Sequence, residues 1–326
     1  MDMVRVLPIS DPGTLDAAIE VLRRGEPVAI PTETVYGLAA DATNPEAITA
    51  IYEAKERPRF NPLISHVADL EMARAHVVFS PVAERLAAAF WPGPLTLVLP
   101  LSAETQIHPL ATAGLGTAAV RVPQGPAREL IARFGRPLAA PSANRSGRIS
   151  PTTAQHVAED LGDRIELILD GGRCPVGLES TILLIDGTRL RLLRPGGIPV
   201  ELIEEAAGLQ VERPGLQHEG GPVIAPGMLA SHYAPDTLMR LNATDVRPGE
   251  AIIRFGDAAL EGEENARMVM DLSRSGDLRE AAANLFDLLK KADAAGASGI
   301  AVAPVPGVGI GEAINDRLRR AAAPKD

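Results

Sequence analysis

Five short segments concentrate the side chains able to do chemistry. The first is Pro31-Thr32-Glu33-Thr34-Val35-Tyr36-Gly37-Leu38. Three polar side chains leave the end of an apolar strand and run into a glycine turn. In α/β folds the carboxyl end of a strand is where ligands sit, although threonines capping an ordinary turn read the same way. The second runs Lys55-Glu56-Arg57-Pro58-Arg59-Phe60-Asn61-Pro62-Leu63-Ile64-Ser65-His66. A helix ends in Lys-x-Arg and a proline-bounded loop leads into a strand. Cations complement a helix C-terminus, but here three of them share the segment with Asn61 and His66. Guanidinium grips two oxygens at once and ammonium acts as a point charge, so the set suits a triphosphate and a carboxylate.

The third segment, Pro141-Ser142-Ala143-Asn144-Arg145-Ser146-Gly147, follows a strand and precedes an expected helix start at Ser150-Pro151. Small hydroxyls and backbone N–H groups there can hold an anion without a P-loop; an ordinary capped loop looks alike. The fourth pairs Gly177-Leu178-Glu179-Ser180-Thr181 with Arg194-Pro195-Gly196-Gly197 at the end of the hairpin partner. Arg194 beside a Gly-Gly turn is either a phosphate ligand or a surface arginine. The fifth, Pro226-Gly227-Met228-Leu229-Ala230-Ser231-His232-Tyr233-Ala234-Pro235, places adjacent His232 and Tyr233 in what is otherwise a linker. With only three tyrosines in the chain, that suggests a lid over a ligand, or a tyrosine that docks the linker.

The absences narrow the chemistry. There is no GxxxxGK[ST] loop, no GxGxxG after a strand and no HExxH. The six histidines are scattered and Cys174 is the single cysteine, so neither a disulfide nor a protein-held metal is expected. The balance of 42 acidic to 32 basic residues, a net charge of −10, argues against general phosphate-backbone binding. Aromatics at 3% leave little for a base-stacking platform. A hydrophobic share of 46% gives ample material for a core, yet the longest apolar runs fall well short of the about 20 residues of a membrane span. Met1 to Ile9 shows no secretory pattern, and a cytoplasmic protein is expected.

The elements that must position these segments alternate. Asp11 to Gly25 predicts a helix capped by Thr14. Asn44-Pro45, Ser80-Pro81 and Ser150-Pro151 each read as a cap followed by proline at the first helical position. Short strands are expected at Val28 to Pro31, Leu63 to Val67, Leu95 to Leu99, Ala118 to Val122, Leu138 to Ala140, Ile165 to Leu169, Thr181 to Ile185 and Leu190 to Leu193. The last two flank Asp186-Gly187, a hairpin turn, so the sheet is mixed. The length of 326 residues predicts two domains. Gly208 to Pro226 reads as linker, and strand, helix, strand, helix follow: Ala251 to Phe255, Met268 to Asp271, Leu278 to Ala295, Gly299 to Ala303 and Glu312 to Ala322. The division is 1–207, a linker with the lid motif at 208–236, and a small α/β unit at 237–326.

Each segment alone is weak; in this order they resemble one family. PTETVYGLAADA, AKERPRFNPLISHV, FWPGPLTLVLP, AAVRVP, APSANRSGRISPTTAQHV, DGGRCPVGLESTI and LLRPGG look like the YrdC-type domain of threonylcarbamoyl-AMP synthases. APGMLASHYAP with a small α/β unit behind it is similar to the two-domain branch, apart from Ala225, where the family often has serine. The pairs Lys55/Arg57 and Ser142/Asn144 match the family hallmark.

The resemblance implies a fold and roles. The fold is α/β: a YrdC-like twisted, mixed, open sheet with flanking helices and a concave cavity, plus a smaller Rossmann-like C-terminal domain. The activity condenses L-threonine, bicarbonate and ATP into threonylcarbamoyl-AMP and pyrophosphate, for N6-threonylcarbamoyladenosine at position 37 of tRNA. Thr34 (with Thr32 as an alternative), His66, Arg121, Ser180 and the backbone at Ala140 would hold threonine. Arg57, Asn61, Thr117, Ser142, Asn144, Ser150, Arg194 and Tyr233 would hold ATP. Lys55 and Arg57 would act electrostatically, with no covalent nucleophile, and His232 and Tyr233 would form the lid. Mg²⁺ would come with ATP and bicarbonate or CO2 would be the co-substrate. The product would pass to a threonylcarbamoyl transferase complex, tRNA being met only indirectly. The rivals are an RNA- or tRNA-binding protein using the same positive cavity, a carbamoyl-transferring enzyme, and a family member without synthase activity.

Overall fold

The computed structural model describes residues 4–58, 60–213 and 233–324. The first unit is built on strands β1 (Arg5–Pro8), β2 (Val28–Ile30), β3 (Gly37–Asp41), β4 (Ile64–His66), β5 (Leu95–Pro100), β6 (Thr117–Arg121), β7 (Leu138–Ala139), β8 (Leu167–Asp170), β9 (Thr181–Asp186), β10 (Arg189–Arg194) and β11 (Val211–Glu212). They form one mixed sheet in the order β1-β8-β2-β3-β7-β4-β6-β5-β9-β10-β11. Alternation assigns each strand two faces. Val28 and Ile30 pack with helices α1 (Thr14–Arg23) and α5 (Pro126–Phe134). Ala29 packs on the opposite face with α2 (Pro45–Lys55), and α4 (Pro81–Phe90) and α6 (Ala154–Leu161) share that core. Helices α3 (Leu70–His76) and α7 (Val200–Ala207) complete the unit.

Local signals decide where these elements begin. The Asn44 side chain accepts from the N–H groups of Glu46 and Ala47, and Ser80 accepts from Ala83, as their Asn-Pro and Ser-Pro pairs predict. Two expected caps are corrected. Gly13, at φ +85°, precedes α1, while the Thr14 hydroxyl turns back to donate to the Pro8 carbonyl at 2.9 Å. Helix α6 starts at Ala154 under a Thr153 cap, which leaves Ser150 for a different task. The expected hairpin forms between β9 and β10, closed by Gly187 at φ +60° and Thr188. Strand β3 had no clear sequence signal: Gly-Leu-Ala-Ala-Asp is buried on both faces, so its alternation is invisible.

The second unit is a parallel four-stranded sheet in the order β12-β15-β13-β14, from β12 (Met239–Arg240), β13 (Ala251–Phe255), β14 (Met268–Ser273) and β15 (Ile300–Val302). Helices α8 (Leu278–Ala294) and α9 (Gly311–Ala321) pack on it. The apolar face of α8 runs through Ala281, Ala282, Leu285 and Leu289; Phe286 is fully buried, while Leu278 and Leu288 are only partly so. Strand β11 continues the first sheet to Glu212, and most of the expected linker, residues 214–232, lies outside the described residues together with Ala225, Ser231 and His232.

The two units are docked through α8. Arg173 donates to the Ala283 carbonyl at 2.9 Å, and Lys290 reaches Asp160 at 3.2 Å. Gly177, at φ +72°, lies so close that a Cβ there would stand 2.5 Å from the Ala283 Cα. Gly177→Ala therefore forces the helix off and strains the turn. We expect a loss of about 1–3 kcal/mol of stability in chemical denaturation; an unchanged midpoint would contradict this docking.

Candidate active site

Residues of β4, β6 and β10 and of the segments that follow β2 and β7 line one hollow. All five residues expected at the amino-acid end line it: Thr34, His66, Arg121, Ala140 and Ser180. So do Arg57, Ser142, Arg194 and Tyr233 from the nucleotide set. Backbone lacing brings the distant segments together. Leu38 N–H donates to the Pro141 carbonyl at 2.7 Å and Ala143 N–H to the Tyr36 carbonyl at 2.8 Å, clamping the 31–37 run onto the 140–144 loop.

At one end sits Arg121. The β4–β6 register sets it beside His66. Its Nε donates to the Gly93 carbonyl at 3.1 Å and its Nη1 to the Thr34 hydroxyl at 3.0 Å. Its Nη2 lies 2.6 Å from Glu33 Oε1. Neither of those two atoms has hydrogen-bond geometry, so the contact is Coulombic and their bonding capacity is left over. Glu33 was not singled out from the sequence, although it stands between the two threonines. The Thr32 hydroxyl donates to the Val35 carbonyl at 2.7 Å, so in its 2.8 Å contact with Thr34 it accepts. Both threonines line the cavity, and Thr34 is the one bonded to Arg121. His66 is buried, and its Nδ1 has no partner among the described residues. Burial, followed by the Arg121 charge, pushes this histidine down to about 3.

The Lys-x-Arg pair is split in role. Helix α2 ends at Glu56 with φ +53°, and this left-handed turn sends Arg57 into the cavity. Arg57 donates to the carbonyls of Asn61 at 3.3 Å and Pro62 at 3.1 Å. Burial lowers it to about 10. Lys55, by contrast, does not line the cavity. Its Nζ donates to the carbonyls of Ser142 at 2.6 Å and Asn144 at 2.5 Å, and it is 1% exposed. Burial, then Arg57, pulls it well below the usual lysine range. It fixes the loop that presents Ser142 instead of facing the cavity.

Asn144 likewise works inside the loop, donating to the carbonyls of Arg145 at 2.9 Å and Arg148 at 2.7 Å. Asn61 is buried with neither its Oδ1 nor its Nδ2 hydrogen-bonded among the described residues. Thr117 stands outside the lining, at the start of β6. It shares a face with Arg121, four residues on, and the parallel register continued by two residues sets it beside Pro62.

At the other wall, a register shift between Leu192 and Arg194 inserts one extra residue in β10 and re-aims Arg194. Its Nε and Nη2 donate to the Ser180 carbonyl at 3.2 and 3.0 Å, and Nη2 also meets the Ser180 hydroxyl at 3.2 Å. Gly196 makes this possible: a Cβ there would fall 2.4 Å from the Glu179 carbonyl oxygen. Glu179 lines the cavity as well. It accepts from Ser150 Oγ at 2.5 Å and from Arg317 Nε of α9 at 2.8 Å. Tyr233, at φ +65°, lines the same wall and stacks on Phe286 of α8, with 5.5 Å between ring centroids. Sequence reasoning missed Glu179 and Arg317 as functional residues. The signal for Arg317 was present: it falls on the apolar face of α9, between Ile314 and Ala321, where a cation is out of place unless paired.

Buried polar atoms without partners are rare in folded proteins, and here they gather around one hollow. Those of Glu33, Asn61, His66 and Arg121 belong to the elements that line it. Such an arrangement is built to complete its bonds on a ligand. Among the described residues, no group of three or more His, Cys, Asp or Glu could hold a metal ion. The chemistry on offer is cationic and hydrogen-bonding, with no activated nucleophile. One consequence is measurable without substrate. A histidine depressed to about 3 stays neutral at pH 5, whereas the unfolded chain protonates near 6.5. Stability therefore rises with pH between these values. By NMR, the His66 ring should not titrate above about pH 4, and His66→Leu should flatten the fall in stability below pH 6.5; a His66 titration near 6.5 would contradict the burial.

Comparison with known proteins shows the family and the fold. A family model described as "Telomere recombination", the Sua5/YciO/YrdC model, matches residues 20–196. A model of the threonylcarbamoyl-AMP synthase C-terminal domain matches residues 198–323. The chain is 41% identical over 336 residues to the threonylcarbamoyl-AMP synthase of Bacillus subtilis, across 99% of this chain and 96% of that one. It is 41% identical over 320 residues to the synthase of Pyrococcus abyssi, across 92% of each. The crystal structure of P. abyssi Sua5 complexed with L-threonine superposes with a TM-score of 0.88 at 37% identity, covering 98% of both chains. Escherichia coli YciO, at 20% identity and a TM-score of 0.52 over 60% of this chain, shares the fold alone. With both domain models matched and near-full-length relatives at this identity, the chain belongs to the two-domain threonylcarbamoyl-AMP synthase family.

Proposed function

We propose that this cavity joins L-threonine, bicarbonate and ATP into threonylcarbamoyl-AMP and releases pyrophosphate. The observation that carries the reading is that the amino-acid set and Arg57, Ser142, Arg194 and Tyr233 of the nucleotide set line one hollow and meet at Ser180, whose hydroxyl and carbonyl both receive Arg194. Relatives of nearly full length are threonylcarbamoyl-AMP synthases, and one similar structure is described as holding L-threonine.

Threonine lies at the Arg121 end. Arg121 takes the carboxylate with the hydrogen-bonding capacity it does not spend on Glu33. His66, held neutral, offers its unpartnered Nδ1 to the amino acid. Thr34, Ser180 and the backbone at Ala140 close around it. ATP lies at the Arg57–Arg194–Tyr233 end, with Ser142 in the wall and Asn61, Thr117 and Ser150 on the elements behind it. Mg²⁺ enters with the nucleotide, carried on its phosphates. The His232–Tyr233 lid keeps its place in this reading: Tyr233 lines the cavity, while His232 lies outside the described residues.

Bicarbonate supplies CO2 by releasing hydroxide; the neutral threonine amine forms an N–C bond to the CO2 carbon, and the proton it gives up joins that hydroxide as water. The carbamate oxygen then attacks the α-phosphorus. The bond from that phosphorus to the bridging oxygen breaks, and pyrophosphate leaves. Arg57 and Arg194 stabilise the charge that grows on the phosphates, and the closed hollow keeps water from the labile carbamate. Positioning and charge are the contribution this reading asks of the protein. The product goes to a threonylcarbamoyl transferase that acts on tRNA. RNA binding through this cavity does not fit: Arg57, Arg121 and Arg194 are 8%, 3% and 4% exposed, beyond the reach of a nucleic-acid backbone.

The test is pyrophosphate release with MgATP, bicarbonate and L-threonine. Omitting bicarbonate should abolish it, which an ordinary amino-acid adenylating enzyme would not show. Arg57→Ala should lower the rate at least about 100-fold with the fold intact. Turnover unchanged in that variant, or independent of bicarbonate, would overturn the reading.

A further inference from the structure

The second unit sends a fully buried cation, Arg317, against the first. Arg317 belongs to α9, yet it is 0% exposed. Its Nε donates to Glu179 Oε2 at 2.8 Å and its Nη1 to Asp316 Oδ2 at 2.7 Å. Its guanidinium carbon stands 5.2 Å from the centre of the Tyr233 ring. Its Nη2 is buried and finds no hydrogen-bond partner among the described residues. The inter-unit contacts at Arg173 and Lys290 join α8 to the first unit away from the cavity lining. Arg317 instead grips two members of the cavity wall, Glu179 and Tyr233.

We propose that Arg317 is a positioning residue for the nucleotide end of the cavity, so that the C-terminal unit is a working part of the ATP site. This rests on the ATP reading above. The route runs through Glu179. Ionised, it accepts from Ser150 on one oxygen and from Arg317 on the other. The next residue, Ser180, anchors Arg194. Protonated, Glu179 would become a donor, and both the Ser150 hydroxyl and the charge opposite Arg194 would change. The charged and titratable groups around Glu179 and Arg317 are Arg194 on β10, Tyr233, and Asp316 on α9, with Arg320 of the same helix 3.1 Å from Asp316. Burial alone would raise Glu179; Arg317 and then Arg194 outweigh it and hold the carboxyl at about 2. Without Arg317 that carboxyl moves up, and the nucleotide end fails as pH falls through the new value. With Arg317 present it stays ionised across the same range.

The experiment is titration calorimetry of MgATP binding to the full chain between pH 5 and 8.5. Arg317→Met is expected to weaken ATP at least tenfold at pH 6 and to recover part of the loss toward pH 8.5. Arg317→Lys keeps the charge and should give a flat profile at a few-fold cost. Glu179→Gln with Arg317→Met removes both charges of the buried pair and leaves Asp316 to Arg320, so it should fold, bind ATP at least fivefold more weakly than wild type, and show no pH dependence. Wild-type affinity in Arg317→Met at every pH overturns the proposal, as does a pH profile that persists in the double variant. If Arg317→Met does not fold, the double variant decides alone: ATP affinity within twofold of wild type refutes the role. Binding is read apart from turnover. A wild-type chain that binds ATP but makes no adenylate contradicts the proposed reaction and leaves Arg317 standing; one with no affinity for ATP ends both.

Discussion

Burying a cation is costly unless something answers its charge and its hydrogens. Of the first unit's cations, four are buried around this cavity: Lys55, Arg57, Arg121 and Arg194. Among the described residues, only Arg121 meets a carboxylate within 4 Å. The other three are held by main-chain carbonyls: Ser142 and Asn144 for Lys55, Asn61 and Pro62 for Arg57, Ser180 for Arg194. Carbonyls satisfy the N–H donors but do not cancel the charge. The hollow therefore keeps positive potential for a polyphosphate while its cations stay rigid. Much of the local architecture follows from this. The left-handed turn at Glu56, the extra residue in β10 and the glycine at 196 each aim a cation or fix the carbonyl that holds it.

The same constraint ties the second unit to the cavity wall. Among the described residues, Glu179 is the one carboxylate lining the cavity, and the cation within hydrogen-bonding distance of it comes from α9 of the second unit. Tyr233 is packed against Phe286 and Arg317 of that unit. An apolar cluster joining Val35, Ile149 and Leu178 to Leu285 and Phe286 crosses between the units beneath this wall. The smaller domain thus meets the cavity wall through packing and charge.

Legibility in the sequence followed the length scale of each signal. Caps such as Asn44-Pro45, the Asp186-Gly187 hairpin and the amphipathic α8 are local patterns and were read correctly. The Ser150-Pro151 cap was misread because a more distant group, Glu179, takes the serine hydroxyl. The 1–207 boundary ignored β11, a two-residue strand whose pairing with β10 no short window reveals. Site segments were visible as dense polar runs, but roles inside them were not. Lys55 and Arg57 lie two apart, and only the helix end between them decides that one clamps a loop while the other faces the cavity. Arg317 pairs with a residue 138 positions away, a separation that composition and periodicity cannot bridge.

The most direct test of the account is the fate of isotopic carbon. The full chain would be incubated with MgATP, L-threonine and ¹³C-bicarbonate, and the adenylate identified by mass spectrometry. The account requires a threonylcarbamoyl adenylate one mass unit heavier than that from unlabelled bicarbonate, the heavy carbon lying between the threonine nitrogen and the phosphate oxygen. An unlabelled threonyl adenylate, or no adenylate at all, would contradict it.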